Sequence, residues 1–193
     1  MIKGRELLTC LACGGSNLET ILDLGDQPLA NSFIKDPTLP EDKFPLELNV
    51  CRNCWHCQLS YAVNPDLMFK DYLYVSGTSK TLKDYMDWFA NFAYETYNIT
   101  SRMIPRNFLD IACNDGTQLD AAKKLGFETY GIDPAENLYP LSSKNHIVAL
   151  DYLSHKTYFN DVKFDVINAQ NVFAHNTDPV GFMEQCKNML ATD

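Results

Sequence analysis

The spacing of apolar positions divides the chain into segments of different character. In PLELNVC, residues 45–51, Leu46, Leu48 and Val50 alternate with other residues, which predicts a strand with one buried face. The preceding stretches, ETILDLGDQPLANSFI and KDPTLPEDKFP, contain only short apolar runs that Gly25 and several prolines interrupt. Residues 1–70 are therefore predicted to form a small and mostly non-helical unit.

A longer stretch, residues 78–98, has its apolar side chains at helical spacing. Thr78 or Ser79 is available to cap the start of this helix. We interpret the apolar stripe as core or domain interface rather than as a cofactor site. Its members recur every three or four positions: Leu82, Tyr85, Met86, Phe89, Phe92, Ala93 and Tyr97.

After residue 106 short apolar strands alternate with helices. The predicted strands are NFLDIAC, ETYGID, HIVALD and FDVINAQ, and the predicted helices are TQLDAAKKLG and DPVGFMEQCKNML. Such alternation is typical of a parallel sheet with helices packed on it. We therefore expect an α/β fold, in which a Rossmann-like domain of about four parallel strands follows the small unit.

Composition and charge exclude several classes of function. The net charge of −9 and the lack of a basic stripe argue against a nucleic-acid partner. The sequence shows no signal peptide and no apolar run near 18 residues, so we expect a cytoplasmic protein without a membrane span. Thiols stay reduced in that compartment, so the seven cysteines are not expected to form a disulfide framework.

Four of the cysteines have metal-ligand spacing. Cys10 and Cys13 lie in CLAC, and Cys51 and Cys54 repeat the spacing in CRNC. Two such knuckles can together complete a tetrahedral site, which predicts structural zinc; the alternative is a set of unrelated buried or free thiols. The nearby Cys57 is interpreted as a neighbour of the site rather than as a ligand.

The turn after the first predicted parallel strand indicates a cofactor site. FLDIACNDGTQL places Asp110 late in the strand and Gly116 before the helix, and Asp133 ends the next strand within reach of ribose hydroxyls. The segment is neither a dinucleotide-binding GxGxxG sequence nor a P-loop. By itself the pattern fits a structural strand–helix turn equally well.

The order of the motifs along the chain is more specific than any one of them. CLACGG, LGDQPLANSF, PLELNVCRNC, DYLYVSGTS, FLDIACNDGTQL, YGIDPAENL and NVFAHNTDP together resemble the S-adenosylmethionine-dependent C-methyltransferases that act on nucleotide-linked deoxysugars. The resemblance implies a zinc-binding domain at 1–70, a substrate-contacting segment and linking helix at 71–100, and the first part of a class I methyltransferase domain at 101–193. It implies zinc on the four knuckle cysteines. It also implies S-adenosylmethionine on Asp110, Ala112, Asn114, Asp115, Gly116, Asp133, Pro134 and Asn171.

The same resemblance implies a nucleotide-linked keto sugar that is methylated on carbon. That reaction needs a base that removes a proton beside the carbonyl, and Tyr72 and His175 are the candidates for acid/base catalysis. The non-catalytic alternatives are that Tyr72 only packs among other aromatic residues and that His175 is only an exposed loop residue. The expected substrate contacts are Tyr74, Ser76, Thr78 and Ser79.

Class I methyltransferases resemble one another in having seven strands, of which this sequence predicts four. The fourth strand is therefore expected at an edge of the sheet, where a partner, a second copy or further sequence would cover it. Two functions remain open at this point. One is the C-methyltransferase, and the other is a shortened, inactive relative that serves as a binding or assembly module.

Overall fold

The computed structural model describes residues 3–36, 38–98, 106–154, 156 and 158–192, and of residues 97 and 98 the backbone alone. The chain divides into two compact units. The first runs to Leu73 and includes Thr177–Val180, and the second begins at Tyr74. Within the described residues, no helix is both long enough and apolar enough to cross a membrane.

The first unit is built from short antiparallel strands. Strands β2 (Leu18–Pro28), β3 (Lys43–Cys51) and β4 (Cys57–Leu59) form a three-stranded sheet in the order β2-β3-β4. Strands β1 (Gly4–Glu6) and β5 (Tyr61–Val63) pair separately, and a single helical turn, α1 (Asp66–Phe69), follows. The strand predicted over residues 45–51 is confirmed as part of β3, and the expectation of a mostly non-helical unit is also confirmed.

The first unit has a very small apolar core. Strand β2 is exposed along nearly its whole length, and Ile21, Leu22 and Leu24 each leave about half of their surface in water. The buried apolar residues of this unit are Leu7, Cys10, Phe44, Val50 and Cys51. A core of this size contributes little stability, so the unit depends on another source of stabilisation.

The long helix of the second unit, α2 (Lys80–Asn98), is capped by Ser79, whose Oγ accepts a hydrogen bond from Leu82 N at 3.3 Å. Its buried residues, Ala90 and Ala93, are small, and Ala93 shares a core with residues of α3 (Thr117–Lys124). The stripe predicted to be core or interface is therefore only partly correct. Two aromatic residues of the stripe, Tyr85 and Phe92, are exposed. The Trp88 ring lies between them, stacked on Phe92 and tilted relative to Tyr85. The Tyr97 side chain lies outside the described residues.

A four-stranded parallel sheet forms the centre of the second unit. Its strands are β6 (Arg106–Ile111), β7 (Phe127–Ile132), β8 (Ile147–Ala149) and β9 (Val166–Asn168), in the order β8-β7-β6-β9. Helices α4 (Tyr139–Ser142) and α5 (Pro179–Met189) complete the unit. The α/β fold class and the Rossmann-like sheet are confirmed.

Successive side chains of β6 enter two different cores. Phe108 packs with Leu119, Ala122 and Phe127 beneath α2 and α3. Leu109 packs on the opposite face with the residues of α5 and its neighbours: Ile111, Tyr130, Ile132, Phe164, Phe182, Cys186 and Met189. Because both faces are covered, β6 is buried from Phe108 to Ile111 and β7 is buried at every position except Glu128, as expected for the inner strands of a parallel sheet.

Strand β9 lies at one edge of this sheet, as predicted. On its outer side the described chain makes one short parallel contact just before the strand. Phe164 N donates to Met189 O, and Ala191 N donates to Phe164 O, each at 2.9 Å. The residues after α5 thus run alongside the segment that leads into β9.

Gly131 in β7 has no room for a side chain. A Cβ atom there would lie 2.6 Å from Cys113 Sγ and 3.1 Å from Leu119 Cδ1. We expect Gly131→Ala to lower the free energy of unfolding of the second unit by about 1–3 kcal/mol, since overpacked cores shift or adopt strained rotamers. Urea unfolding measures this change, with Glu128→Gln on the exposed face of the same strand as the control. Equal unfolding midpoints for the two variants would contradict the expected clash.

Candidate functional site

The first unit brings together the four knuckle cysteines, whose Sγ atoms all lie within 4.8 Å of one another. Two Sγ–Sγ distances of 3.6 Å join the two knuckles, Cys10 to Cys54 and Cys13 to Cys51. A tetrahedral Zn²⁺ with Zn–S bonds of about 2.3 Å requires sulfur atoms roughly 3.8 Å apart. The donor set and its dimensions therefore fit a zinc ion with four thiolate ligands.

The two knuckles share one backbone conformation. The amide after each second cysteine, of Gly14 and of Trp55, donates to the carbonyl of the first cysteine at 2.8 Å. Both residues have positive φ, 74° for Gly14 and 65° for Trp55. Glycine adopts this conformation without strain, whereas Trp55 adopts it against the preference of its side chain.

Cys57 lies outside the cluster, although it is only three residues from Cys54. Its Sγ faces the Trp55 carbonyl oxygen at 3.9 Å and is absent from the group of four sulfur atoms. Within the cluster, the pKa of the Cys51 thiol is lowered to about 7. Burial opposes this shift, but hydrogen bonds from the amides of Asn53 and Cys54, together with those to the Cys13 and Cys10 thiols, outweigh it.

In the second unit, a row of three residues crosses the sheet near the carboxyl ends of the strands. Gly131, Asp110 and Asn168 occupy paired positions on β7, β6 and β9. Asp110 is buried, and Asn168 Nδ2 donates to its Oδ1 at 2.6 Å. Burial raises the pKa of Asp110 to about 7, and the nearby Asp133 carboxylate adds to the shift. The hydrogen bond from Asn168 opposes it.

Asp133 follows β7 and organises the loop after β6. Its Oδ2 accepts a hydrogen bond from Asn114 N at 2.7 Å, and its Oδ1 accepts one from Ala135 N at 2.8 Å. Burial raises the pKa of Asp133, against these two amide hydrogen bonds. The loop itself has a left-handed backbone at Ala112, Asn114 and Gly116, with φ of 62°, 52° and 87°.

The side chains of Asn114 and Asp115 form hydrogen bonds with backbone groups. Asn114 Oδ1 accepts from Ser76 N, and its Nδ2 donates to Tyr74 O, both at 2.9 Å. Asp115 Oδ2 accepts from Gly77 N at 2.9 Å, and its Oδ1 accepts from Thr117 N at the start of α3 at 3.1 Å. The structure thus places the loop against the segment predicted to contact substrate.

The other predicted site residues occupy varied positions. Pro134 is half-buried beside Asp133, and Asn171 is exposed with φ of 55°. His175 is exposed in a single 3₁₀ turn, Phe173–His175, of the second unit. Tyr72 belongs to the first unit, where its half-buried ring lies 6.1 Å from the ring of Phe69. In the segment from Tyr74, Ser76 is buried and Thr78 is exposed.

Sequence reasoning missed Asn168, which holds Asp110. A signal was present, because Asn168 is a polar residue within the apolar strand FDVINAQ and sits at the same sheet edge as Asp110. It also missed a cavity of about 750 Å³ in the second unit, lined by α2, α3 and the residues around Gly77. The charged residues in its lining are balanced in sign: Lys83, Lys123, Lys124, Asp87, Asp115 and Asp120.

The raised pKa of Asp110 predicts a pH-dependent difference between the wild type and Asp110→Asn. In the wild type, the stability that protonated Asp110 contributes is complete below its ordinary pKa of 3.8 and is lost as the pH rises through about 7. Asparagine is neutral throughout. The free energy of unfolding of the variant should therefore rise relative to that of the wild type between pH 4 and pH 8, by up to about 4 kcal/mol. Urea unfolding of both proteins across this range measures the difference, and Asp161→Asn at an exposed position is the control. A difference that does not vary with pH would contradict the assignment.

Both units match known protein families. Residues 10–69 match Methyltransf_13, described as "Putative zinc binding domain", and residues 109–193 match Methyltransf_11, described as "Methyltransferase domain". The two matches correspond to the cysteine cluster and to the parallel sheet with its strand-end carboxylates. They agree with the family resemblance inferred from the order of the motifs.

Among curated proteins, the chain is similar to the C-methyltransferase NovU of Streptomyces niveus, with 28% identity over 136 residues, which is 69% of this chain and 32% of the relative. It is also similar to the ubiquinone biosynthesis O-methyltransferase of Glaesserella parasuis serovar 5 (strain SH0165), with 28% identity over 105 residues, or 49% of this chain and 44% of the relative. The chain spans less than half the length of these relatives.

Solved structures of methyltransferases also match part of the chain. The plantazolicin methyltransferase BpumL in complex with SAH matches with a TM-score of 0.46 and 21% identity, over 55% of this chain and 41% of that one. The magnesium protoporphyrin IX methyltransferase ChlM of Synechocystis PCC 6803 with bound SAM matches with a TM-score of 0.46 and 12% identity, over 56% and 54% of the respective chains.

Proposed function

Because the chain belongs to the S-adenosylmethionine-dependent methyltransferase family with an N-terminal zinc-binding domain, we propose that it takes part in methyl transfer from S-adenosylmethionine to a carbon atom of a nucleotide-linked keto-deoxysugar. The methyltransferase part of this proposal is supported by the family match over the parallel sheet. The carbon acceptor is supported by the similarity to the C-methyltransferase NovU, and the sugar by the motif resemblance alone.

The observation that carries the proposal is the pair of buried carboxylates at adjacent strand ends. Both side chains are buried, and the Asp133 carboxylate helps to raise the pKa of Asp110. Their hydrogen-bond donors among the described residues, Asn168 Nδ2 to Asp110 and the Asn114 and Ala135 amides to Asp133, are uncharged. A cofactor with a positive sulfonium, a positive amino group and a ribose diol supplies the missing counter-charge and two hydroxyl donors. The residues present therefore fit S-adenosylmethionine.

In this scheme the chain's own groups bind the cofactor and move one proton. Asp133 would accept hydrogen bonds from the ribose hydroxyls while its loop amides hold it in place. When bound, the cofactor supplies an electrophilic methyl group. His175 or Tyr72 would remove a proton beside the sugar carbonyl, which makes that carbon nucleophilic, and would hold the proton during the reaction.

The zinc site is assigned a structural role. Four thiolates fill a tetrahedral coordination sphere, so no position is left for a substrate or a water molecule. Zinc would instead stabilise a unit whose apolar core is too small to do so.

Calorimetric titration of S-adenosylmethionine and of its demethylated product into the 193-residue protein tests the proposal. We expect binding in the micromolar range and, with candidate keto-sugar nucleotides added, a sugar product whose mass is greater by one CH₂ unit, because a methyl group replaces a hydrogen. A folded, metal-loaded protein that binds neither form of the cofactor would refute the proposal. That result would instead favour the alternative, an inactive relative that serves as a binding or assembly module.

A further inference from the structure

The segment from Tyr74 to Thr78 is tied to the loop between β6 and α3 by three hydrogen bonds. Two of them use both ends of one carboxamide: Asn114 accepts from Ser76 N and donates to Tyr74 O. The third joins Gly77 N to the Asp115 carboxylate. An asparagine side chain that satisfies one backbone donor and one backbone acceptor in the same segment fixes both its position and its direction.

Packing at Gly77 makes this contact specific. A Cβ atom on Gly77 would lie 2.5 Å from Asp115 Oδ2 and 2.7 Å from Thr117 Oγ1, so a larger residue would displace these two side chains or the segment itself. Ser76, whose amide is one of the two that bind the loop, is 8% exposed. The segment is therefore packed against the loop as well as hydrogen-bonded to it.

The backbone of the same loop is held from its other side by Asp133. Asn114 N donates to Asp133 Oδ2 at 2.7 Å, while the Asn114 side chain binds the 74–77 backbone. One residue thus connects the carboxylate assigned to the cofactor ribose with the segment assigned to substrate. These two hydrogen bonds use one lone pair of Oδ1 and one hydrogen of Nδ2, which is half of the hydrogen-bonding capacity of the side chain.

We propose that Asn114 and Asp115 are positioning residues, which hold the Tyr74–Thr78 segment on the cofactor loop and couple its order to occupancy of the cofactor site. This inference rests on the proposed function and goes beyond it, because it assigns these two side chains to the substrate-contacting segment rather than to the cofactor. By thermodynamic reciprocity, a ligand that orders the segment must bind more weakly when the segment is displaced.

Hydrogen exchange at the Ser76 and Gly77 amides tests the holding role without any ligand. We expect Asn114→Gly to speed exchange at these amides about tenfold, because it removes both side-chain hydrogen bonds and glycine retains the positive φ of 52°. Asn114→Asp keeps the acceptor for Ser76 N and should restore part of that protection. Unchanged exchange in Asn114→Gly would overturn the proposal, whether or not the protein binds the cofactor.

Titration with S-adenosylhomocysteine tests the coupling. We expect Gly77→Ala, whose added Cβ would clash with the Asp115 and Thr117 side chains where the segment meets the loop, to weaken binding about tenfold. Gly126→Ala is the matched control: it places alanine at a φ of 90° at the end of α3, with no atom near the added Cβ, and should leave affinity unchanged. Equal affinities of Gly77→Ala and wild type would overturn the coupling. Absence of binding by wild type would instead refute the proposed function, and the exchange comparison would still decide the holding role.

Discussion

Replacing Cys13 by serine is expected to abolish metal binding and to unfold the first unit, while the second unit keeps its structure. Cys13 Sγ lies 3.6 Å from Cys51 Sγ and is one of four sulfur atoms that enclose a single point. Structural zinc sites contribute about 10–16 kcal/mol in small domains, far more than the apolar core of this unit supplies. Elemental analysis should show the zinc content fall from about one ion per chain to near zero.

Cys57→Ser is the matched control for this experiment. Cys57 is exposed, as Cys13 is, and it lies three residues beyond Cys54, yet its sulfur is outside the cluster. We expect full metal content and an unchanged thermal transition for Cys57→Ser. Loss of zinc in this variant, or retention of zinc in Cys13→Ser, would show that the ligand set is different from the one the geometry indicates.

The second large effect is expected at Asp133, where replacement by alanine should weaken S-adenosylmethionine binding by about 10²–10⁴-fold. Each hydrogen bond from a ribose hydroxyl to a carboxylate is worth about 1.5–3 kcal/mol, and the variant loses two of them. It also leaves Asn114 N and Ala135 N without the acceptors that shape the loop. Isothermal titration calorimetry at fixed pH measures the change.

Two further proteins separate recognition from folding in this measurement. Asp133→Asn retains one carbonyl acceptor for a loop amide and should fold more stably than Asp133→Ala, yet it should still bind the cofactor at least about tenfold more weakly than wild type. Asp161→Asn, at an exposed position, should bind as wild type does. Normal affinity in a well-folded Asp133→Ala protein would remove this carboxylate from the cofactor site.

Much of the fold could be predicted from local patterns. The parallel strands were identified within a few residues, and the helix starts at Lys80 and Thr117 lie close to the predicted ones. These elements are determined by side chains near one another in sequence: alternating apolar runs, a serine cap, and glycine after a helix. The long β2 strand was not predicted, because Gly25 is accommodated by irregular pairing with β3 between Asp23 and Asp26, and Pro28 is the last residue of the strand.

The aromatic stripe of α2 shows the limit of periodicity. Helical spacing correctly indicated one helix, but it could not indicate which side would be buried. The structure buries Ala90 and Ala93 and leaves Tyr85, Trp88 and Phe92 largely exposed. Ala93 shares a core with Leu119 and Ala122 of α3, so the face that is buried depends on the partner helix as well as on the sequence of α2.

The sequence by itself determined the metal-ligand pattern, the acidic residues after two strands and the order of elements. Each of these features depends on residues that are close together along the chain. The tertiary structure alone decided the contacts among them. Asn168 reaches Asp110 across 58 positions, and Asn114 reaches Ser76 and Asp115 reaches Gly77 across 38. Such hydrogen bonds depend on which strand lies beside which and on where a loop returns. Only the folded chain therefore reveals that a predicted cofactor loop binds the segment predicted to contact substrate.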